Sequence, residues 1–434
     1  MSEFRVGTAR CNVTPDPLLP VTRGADACRP AEEKLGELEI RVLVLEQNGT
    51  RVAIVSTPFL GFPTRLCNQV CLQVNEVEPS NVLIGATHCH SGPDLYGFPN
   101  ENGEYDIDVD YADSVCEKAA AAIGEAVRAL EPAGLRINTG EAQGKIAYNY
   151  YAPDLYDPRC HVLQAVRPDG TALATLVNYA IHPEILLEQN VCSPDLVGPL
   201  YDRIEAAGGG MGIFMNSAQG GMITPDIRTP DGGEKADWAE CERIGGLLAE
   251  EALRIVSDAP VQVNPGLWCG AQRLAFPVQM PMSQMLLFLH PTSRVVTPPP
   301  HELTDVIHDF PANELLGQHA RTMLEEAGAL AEEPITEMAA MQNLVNVGNA
   351  QILTIPGEAL PNIGYFLKRK MQGEHNFLFG LTNDALGYIM SRVDYDSFKI
   401  YEYITATCMH EDMGEILVEE SLRFVEESPA PANG

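Results

Sequence analysis

Residues 81–94 read NVLIGATHCHSGPD, an apolar run that ends in two histidines one residue apart and then enters a Ser-Gly-Pro turn. The run predicts a buried strand that stops where the histidines begin. In an extended chain, residues two apart point to the same face. His88 and His90 are therefore expected to look the same way, with Cys89 turned opposite. Three readings stay open at this point: two ligands of one metal, one ligand beside an acid/base group, or two polar residues at a strand end.

The segments around this stretch predict an α/β fold. Residues 40–56, IRVLVLEQNGTRVAIVS, form a hairpin signal around Asn48-Gly49, and 63–77 carry helical spacing into the strand just described. An Ala-rich helix is expected over 110–131. Strands are expected over 134–142, 159–166 and 171–181, the last two joined by the turn 168–170. A short buried strand lies within GGGMGIFMNSAQGG at 208–221, and a long helix within 235–257. Strands at 341–348, 350–356 and 376–383 and helices near 314–331 and 359–372 complete the pattern. The Pro- and Met-rich stretch 277–311 is expected to be an irregular excursion. Mixed sheets flanked by helices in a single domain over 1–427, with a frayed tail at 428–434, are the expected architecture.

Composition narrows the function. Against 28 Lys+Arg stand 60 Asp+Glu, a formal net charge of −32, which repels nucleic acid and anionic membrane surfaces. The opening MSEFRVGTAR has no basic-then-apolar signal pattern, and no later run approaches the ~20 apolar residues of a spanning helix. Eleven cysteines without CxxC pairs argue against a disulfide framework, so a cytoplasmic protein with reduced thiols and no stable membrane association is expected. Association between copies of the chain is left open.

Histidines are few, 10 in all, so their placement is informative. His182 closes the run TALATLVNYAIHPEIL. Glu358 closes AQILTIPGE, and Tyr388 lies shortly after NFLFGLTN. With His88 and His90, these residues fall at or past the C-terminal ends of apolar strands, the edge where open α/β sheets bind ligands. Two histidines and a glutamate with an open position suit catalytic zinc. A second cluster, FMNSAQGGMITPD at 214–226, combines glycines with the hydroxyls of Ser217 and Thr224. The amides of Gly220 and Gly221 there could stabilise an oxyanion. Asp195 could orient His182 as an outer carboxylate, and Arg159 is a candidate substrate contact.

These motifs resemble the neutral/alkaline, non-lysosomal ceramidases and their bacterial relatives. VGTARCNVTP is similar to that family's opening signature, GATHCHSGPD to its THxHSGP motif, and NYAIHPEIL to its second histidine segment. GGMITPD resembles the GDxSPN nucleophile loop, IPGEAL the PGEF motif, and LTNDALGYIMSRVDYDSFKIYE the tyrosine segment. The order is the family's, from about residue 6 to residue 402. The family's C-terminal immunoglobulin-like domain and secretion signal have no counterpart in this sequence. The resemblance implies a ceramidase N-terminal-domain-like fold and a Zn2+ ion held by His88, His182, Glu358 and Tyr388. It makes His90 a neighbour of the nucleophile and not a ligand, and sets Tyr401 near the substrate oxygen.

Three departures limit what transfers. Threonine at 224 stands where the family has its nucleophilic serine, Met222 where it has aspartate, and Tyr150 where it has a substrate-contacting arginine. The expected function is therefore zinc-dependent hydrolysis of an amide (N-acyl) bond in a soluble small molecule, by a zinc-activated water or the Thr224 hydroxyl. A biosynthetic acyl transfer at the same site is the alternative. A binding module without catalysis is disfavoured, because all four ligand positions hold competent groups.

Overall fold

The computed structural model describes residues 3–23, 26–96, 107–278, 337–397 and 399–431. Most of the excursion expected at 277–311, with His290, His301 and His308, lies outside the described residues, as does the helix expected at 314–331.

Strands Arg5–Asn12 (β1), Glu39–Gln47 (β2), Thr50–Thr57 (β3) and Val82–Ala86 (β4) form the first sheet in the order β4-β3-β2-β1, with Glu131–Pro132 at its edge. The β2–β3 hairpin is the one the sequence predicts. Asn48 and Gly49 both have positive φ, 51° and 85°, as a two-residue turn of matching twist requires. Strands β3 and β4 run parallel, and the crossover carries Thr64–Cys71 (α1), shorter than the helical spacing over 63–77 implies. Val109–Arg128 (α2), capped by Asp108, lies across this sheet. It can approach because Gly7 faces it: a Cβ there would stand 2.0 Å from the carbonyl oxygen of Ala126.

The second sheet contains Gly134–Glu141 (β5), Arg159–Val166 (β6), Ala172–Tyr179 (β7) and Met211–Asn216 (β8), ordered β8-β7-β6-β5. Its β7–β8 pair is parallel, with Val197–Ala206 (α3) in the crossover; Trp238–Ser257 (α4), capped by Asp237, packs alongside α3. The third sheet holds Leu267–Pro277 (β9), Glu337–Val347 (β10), Ala350–Thr354 (β11) and His375–Phe379 (β12). Its β11–β12 pair is again parallel, with Pro361–Lys370 (α5) between, and Met413–Glu427 (α6) packs on this layer. No helix among the described residues is long and apolar enough to cross a membrane.

One buried cluster joins all three sheets: Leu43, Ile54 and Leu83 from the first, Leu163, Leu176 and Ile213 from the second, Val345, Ile352 and Phe377 from the third. Each such side chain contributes about 1.5–3 kcal/mol by leaving water. Backbone bonds then fasten the strand ends to one another. Ala86 N–H donates to Leu381 O (3.0 Å) and Gly380 N–H to Asn216 O (3.0 Å), which brings the ends of β4, β8 and β12 together. The sequence placed the candidate residues on the edge of one open sheet; they lie instead where three sheets converge.

Candidate metal centre

Strand β4 ends at Ala86, and the next four residues leave the sheet, with His88 in the left-handed region at φ 68°. The expectation that His88 and His90 share a face because they alternate along a strand therefore fails, since the backbone there is not extended. They meet for another reason: the turn folds their rings edge to face, 4.7 Å between centroids. The His182 ring, beyond β7, stands 4.6 Å from that of His88. One ligand atom from each of His88, His90 and His182 lies within 4.8 Å of the others, all three residues are buried, and the group could hold a metal ion.

Hydrogen bonds set the two outer imidazoles. His88 Nδ1 lies 2.7 Å from Leu60 O and His182 Nδ1 2.9 Å from Ile223 O. A carbonyl oxygen only accepts, so each neutral ring carries its proton on Nδ1 and presents a bare lone pair at Nε2. Both Nε2 atoms stand 3.3 Å from the same oxygen, Glu358 Oε2. With both Nε2 atoms bare, three acceptors face one another, an arrangement that a cation in their midst satisfies and that a proton on either ring would otherwise satisfy. The separation also fits the donor set, because ligands at ~2.0–2.1 Å around a tetrahedral ion sit about 3.3 Å apart.

Burial raises the Glu358 carboxyl, but His88 and His182 outweigh it and hold the group far below the usual carboxylate range. Burial pulls His182 down, while Glu184 and Glu358 raise it above its ordinary value. His90 differs from both. Burial, with His88 and His182 nearby, keeps it well below its ordinary value, and neither of its ring nitrogens has a hydrogen-bond partner.

Tyr388 joins the group through the main chain, since Tyr388–Ile389 pairs in parallel with Glu358–Ala359. Burial drives its phenol far above the ordinary value, and the hydroxyl donates to Met222 Sδ at 3.0 Å. The residue standing where the resemblance has aspartate is thus a sulfur partner of the candidate tyrosine ligand. Thr224 is half-buried in the strand Ile223–Pro225, directly after the residue whose carbonyl fixes His182. No hydrogen bond joins its hydroxyl to His90. Tyr401 is half-buried and packs on Tyr151 at 5.4 Å, and Tyr151 in turn meets the exposed Tyr150 at 5.2 Å, so three rings lead outward from the region of Met222.

Two expectations need correction. Gly220 N–H donates to Ala359 O (3.0 Å), so it is not available to an oxyanion; the N–H of Gly221 has no partner among the described residues. The glycine at 220 serves close packing, because a Cβ there would stand 2.3 Å from Glu358 O and 2.7 Å from Ala359 O. Gly220→Ala is expected to push the Glu358 strand outward, at a cost of about 1–3 kcal/mol, and to weaken metal binding. Urea unfolding and metal analysis of the variant check both effects. Asp195 makes no hydrogen bond to His182. Its carboxylate accepts from Leu186 N (2.9 Å) and Leu196 N (2.7 Å), and burial raises it to about 6. It orders the segment that follows His182 and leaves the imidazole to Ile223 O.

Comparison of the whole fold adds one finding. A neutral ceramidase from Pseudomonas aeruginosa superposes with a TM-score of 0.73 at 17% identity, over 99% of this chain and 76% of that one. A structure described as ceramidase complexed with C2 gives 0.71 at 18%, over 100% and 77%. The chain has the ceramidase fold. No protein-family model matches the sequence and no curated protein does, so the likeness is one of architecture. On the ceramidase fold the strand-end positions named in the sequence do gather: His88, His90, His182, Glu358 and Tyr388. The main-chain carbonyls of Leu60 and Ile223, which set the tautomers, leave no mark in the sequence.

Proposed function

We propose that the protein is a zinc-dependent amidohydrolase that cleaves the N-acyl bond of a small molecule. The observation that carries this reading is the convergence of His88 Nε2 and His182 Nε2 on Glu358 Oε2, each ring held at Nδ1 by a main-chain carbonyl. His88, His182 and Glu358 would hold the ion, with Tyr388 beside them. Both histidines have the outer carbonyl partner that metal-ligating imidazoles usually have, and His90 does not. That difference favours His90 as the acid/base group. When bound, zinc supplies Lewis acidity that lets water or a hydroxyl react at neutral pH.

The protein's own groups do the rest. Neutral His90, with both nitrogens uncommitted, can take a proton from the attacking hydroxyl, of water or of Thr224, and return it to the leaving amine. Gly221 N–H is the amide left to face developing charge. The rings of Tyr401, Tyr151 and Tyr150 offer an apolar surface for the acyl or amine part of the substrate. The two neighbours named as ceramidases support amide chemistry; Tyr150, in place of an arginine, supports a different substrate head. Eleven cysteines without a CxxC pair support a reducing, cytoplasmic setting.

Chelation followed by assay on a panel of short N-acyl amines is the test. Removal of the ion is expected to reduce amide cleavage about a thousandfold or more, with recovery on adding zinc. Unchanged cleavage by chelated protein would sink the proposal.

A further inference from the structure

A single side-chain amide ties together the two segments that carry His88 and His182. Asn216, the last residue of β8, is fully buried. Its Nδ2 donates to Thr87 O (3.0 Å) and to Ile181 O (2.7 Å), and its Oδ1 accepts from Ile181 N (3.3 Å) and Ser217 N (3.0 Å). The two carbonyls can only accept, so the amide has one orientation that satisfies all four bonds. Thr87 and Ile181 immediately precede His88 and His182. No ladder joins β4 to β7, which belong to different sheets; among the described residues the two histidine segments are joined by this amide and by the backbone bond from His90 N–H to Pro183 O (3.0 Å).

We propose that Asn216 is a positioning residue of the metal centre, setting the separation of His88 and His182 so that both reach the point opposite Glu358. This inference rests on the metal reading above. Asn178 supplies an internal contrast. It is equally buried, and its Nδ2 lies within hydrogen-bond distance of Met215 O (2.9 Å), Asn216 O (2.9 Å) and Leu378 O (2.8 Å), so its two hydrogens serve main chain on β8 and β12, that of Asn216 included, and not the residues preceding His88 and His182. Loss of the Asn178 side chain should cost stability alone. Loss of the Asn216 side chain should cost metal geometry as well.

The experiment measures zinc affinity, by competition with a chromophoric chelator, and the visible spectrum of the cobalt-substituted protein, for wild type, N216D, N216A and N178A. Asn216→Asp keeps the shape but sets an acceptor oxygen against the carbonyls of Thr87 and Ile181. Both Asn216 variants are expected to bind zinc about 10–100-fold more weakly, as loss of an outer support does, and to show a shifted cobalt spectrum. Asn178→Ala is expected to lower the melting temperature and leave both readouts unchanged. Wild-type zinc affinity in both Asn216 variants, or an equal loss of affinity in N178A, overturns the role of Asn216. Failure of N216D and N216A to fold while N178A folds assigns the residue to folding and overturns it too. A wild-type chain that takes up no zinc overturns the metal reading itself, and this inference with it.

Discussion

His88→Ala is expected to lose bound zinc, whereas His90→Ala keeps it and loses rate. The His88 ring presents a lone pair at Nε2, held there by Leu60 O at 2.7 Å, and faces Glu358 Oε2 at 3.3 Å. Its removal takes one of few donors from the ion. His90 has two unpartnered nitrogens and is kept neutral by burial, the state of a base and not of a fixed ligand. Removing a general base reduces rate about 10²–10⁴-fold. Metal content by mass spectrometry, beside turnover of the same preparations, separates the two residues. Equal metal loss in both variants would make the two histidines a ligand pair.

Asp157→Asn is expected to cost the largest amount of stability. Lys368, on α5, is 4% exposed, and its Nζ has Asp157 Oδ2 at 3.0 Å and Ser217 Oγ at 3.2 Å. Arg159 donates to the same carboxylate through Nε (2.7 Å) and Nη2 (2.8 Å), so this arginine closes on its neighbour instead of standing open as a substrate contact. Neutralising Asp157 leaves the Lys368 ammonium buried without a counter-ion, a loss of about 3–5 kcal/mol. The pH dependence follows the same pair. Burial raises the Asp157 carboxyl, but Lys368 and Arg159 outweigh it and hold the group well below the usual range. A carboxyl depressed in the folded state contributes stability above its unfolded value of ~3.9 and loses it as pH falls further. The gap between wild type and variant in urea unfolding should therefore be widest near neutrality and narrow below about pH 4. A gap of less than ~1 kcal/mol at pH 7 would show that a neutral amide at position 157 and the Ser217 hydroxyl suffice around Lys368.

Much of the framework was legible where local signals and tertiary packing agree. Asn48-Gly49 marks its hairpin, the Ala-rich run marks α2, and the strands around 159–166 and 171–181 follow their apolar pattern. Strand β1, RVGTARCN, escaped notice because its single Val among Arg, Gly, Thr, Ala and Asn gives no apolar run; Gly7 is explained only by the helix that lies on it. Strand β9 and helix α6 were missed as well; β9 belongs to the third sheet and α6 packs on it, and their partners are far apart in the sequence. At the site, residue types at strand ends could be read in advance. The turn at His88 could not, because a positive φ in a histidine has no sequence signature comparable to that of glycine. Nor could the hydrogen bond of Gly220 to Ala359, which removes a donor that glycine composition alone had offered.

The convergence of three sheets has a consequence for how long the molecule lasts. His88 follows a strand of the first sheet, His182 one of the second and Glu358 one of the third. An ion gripped from all three would be a fastener between layers as well as a reagent, and its binding energy would enter the folding equilibrium. At a free concentration one hundred times its dissociation constant it would add about 2.7 kcal/mol. Metal scarcity would then shorten the protein's lifetime against proteolysis, so that its abundance tracks the supply of the ion.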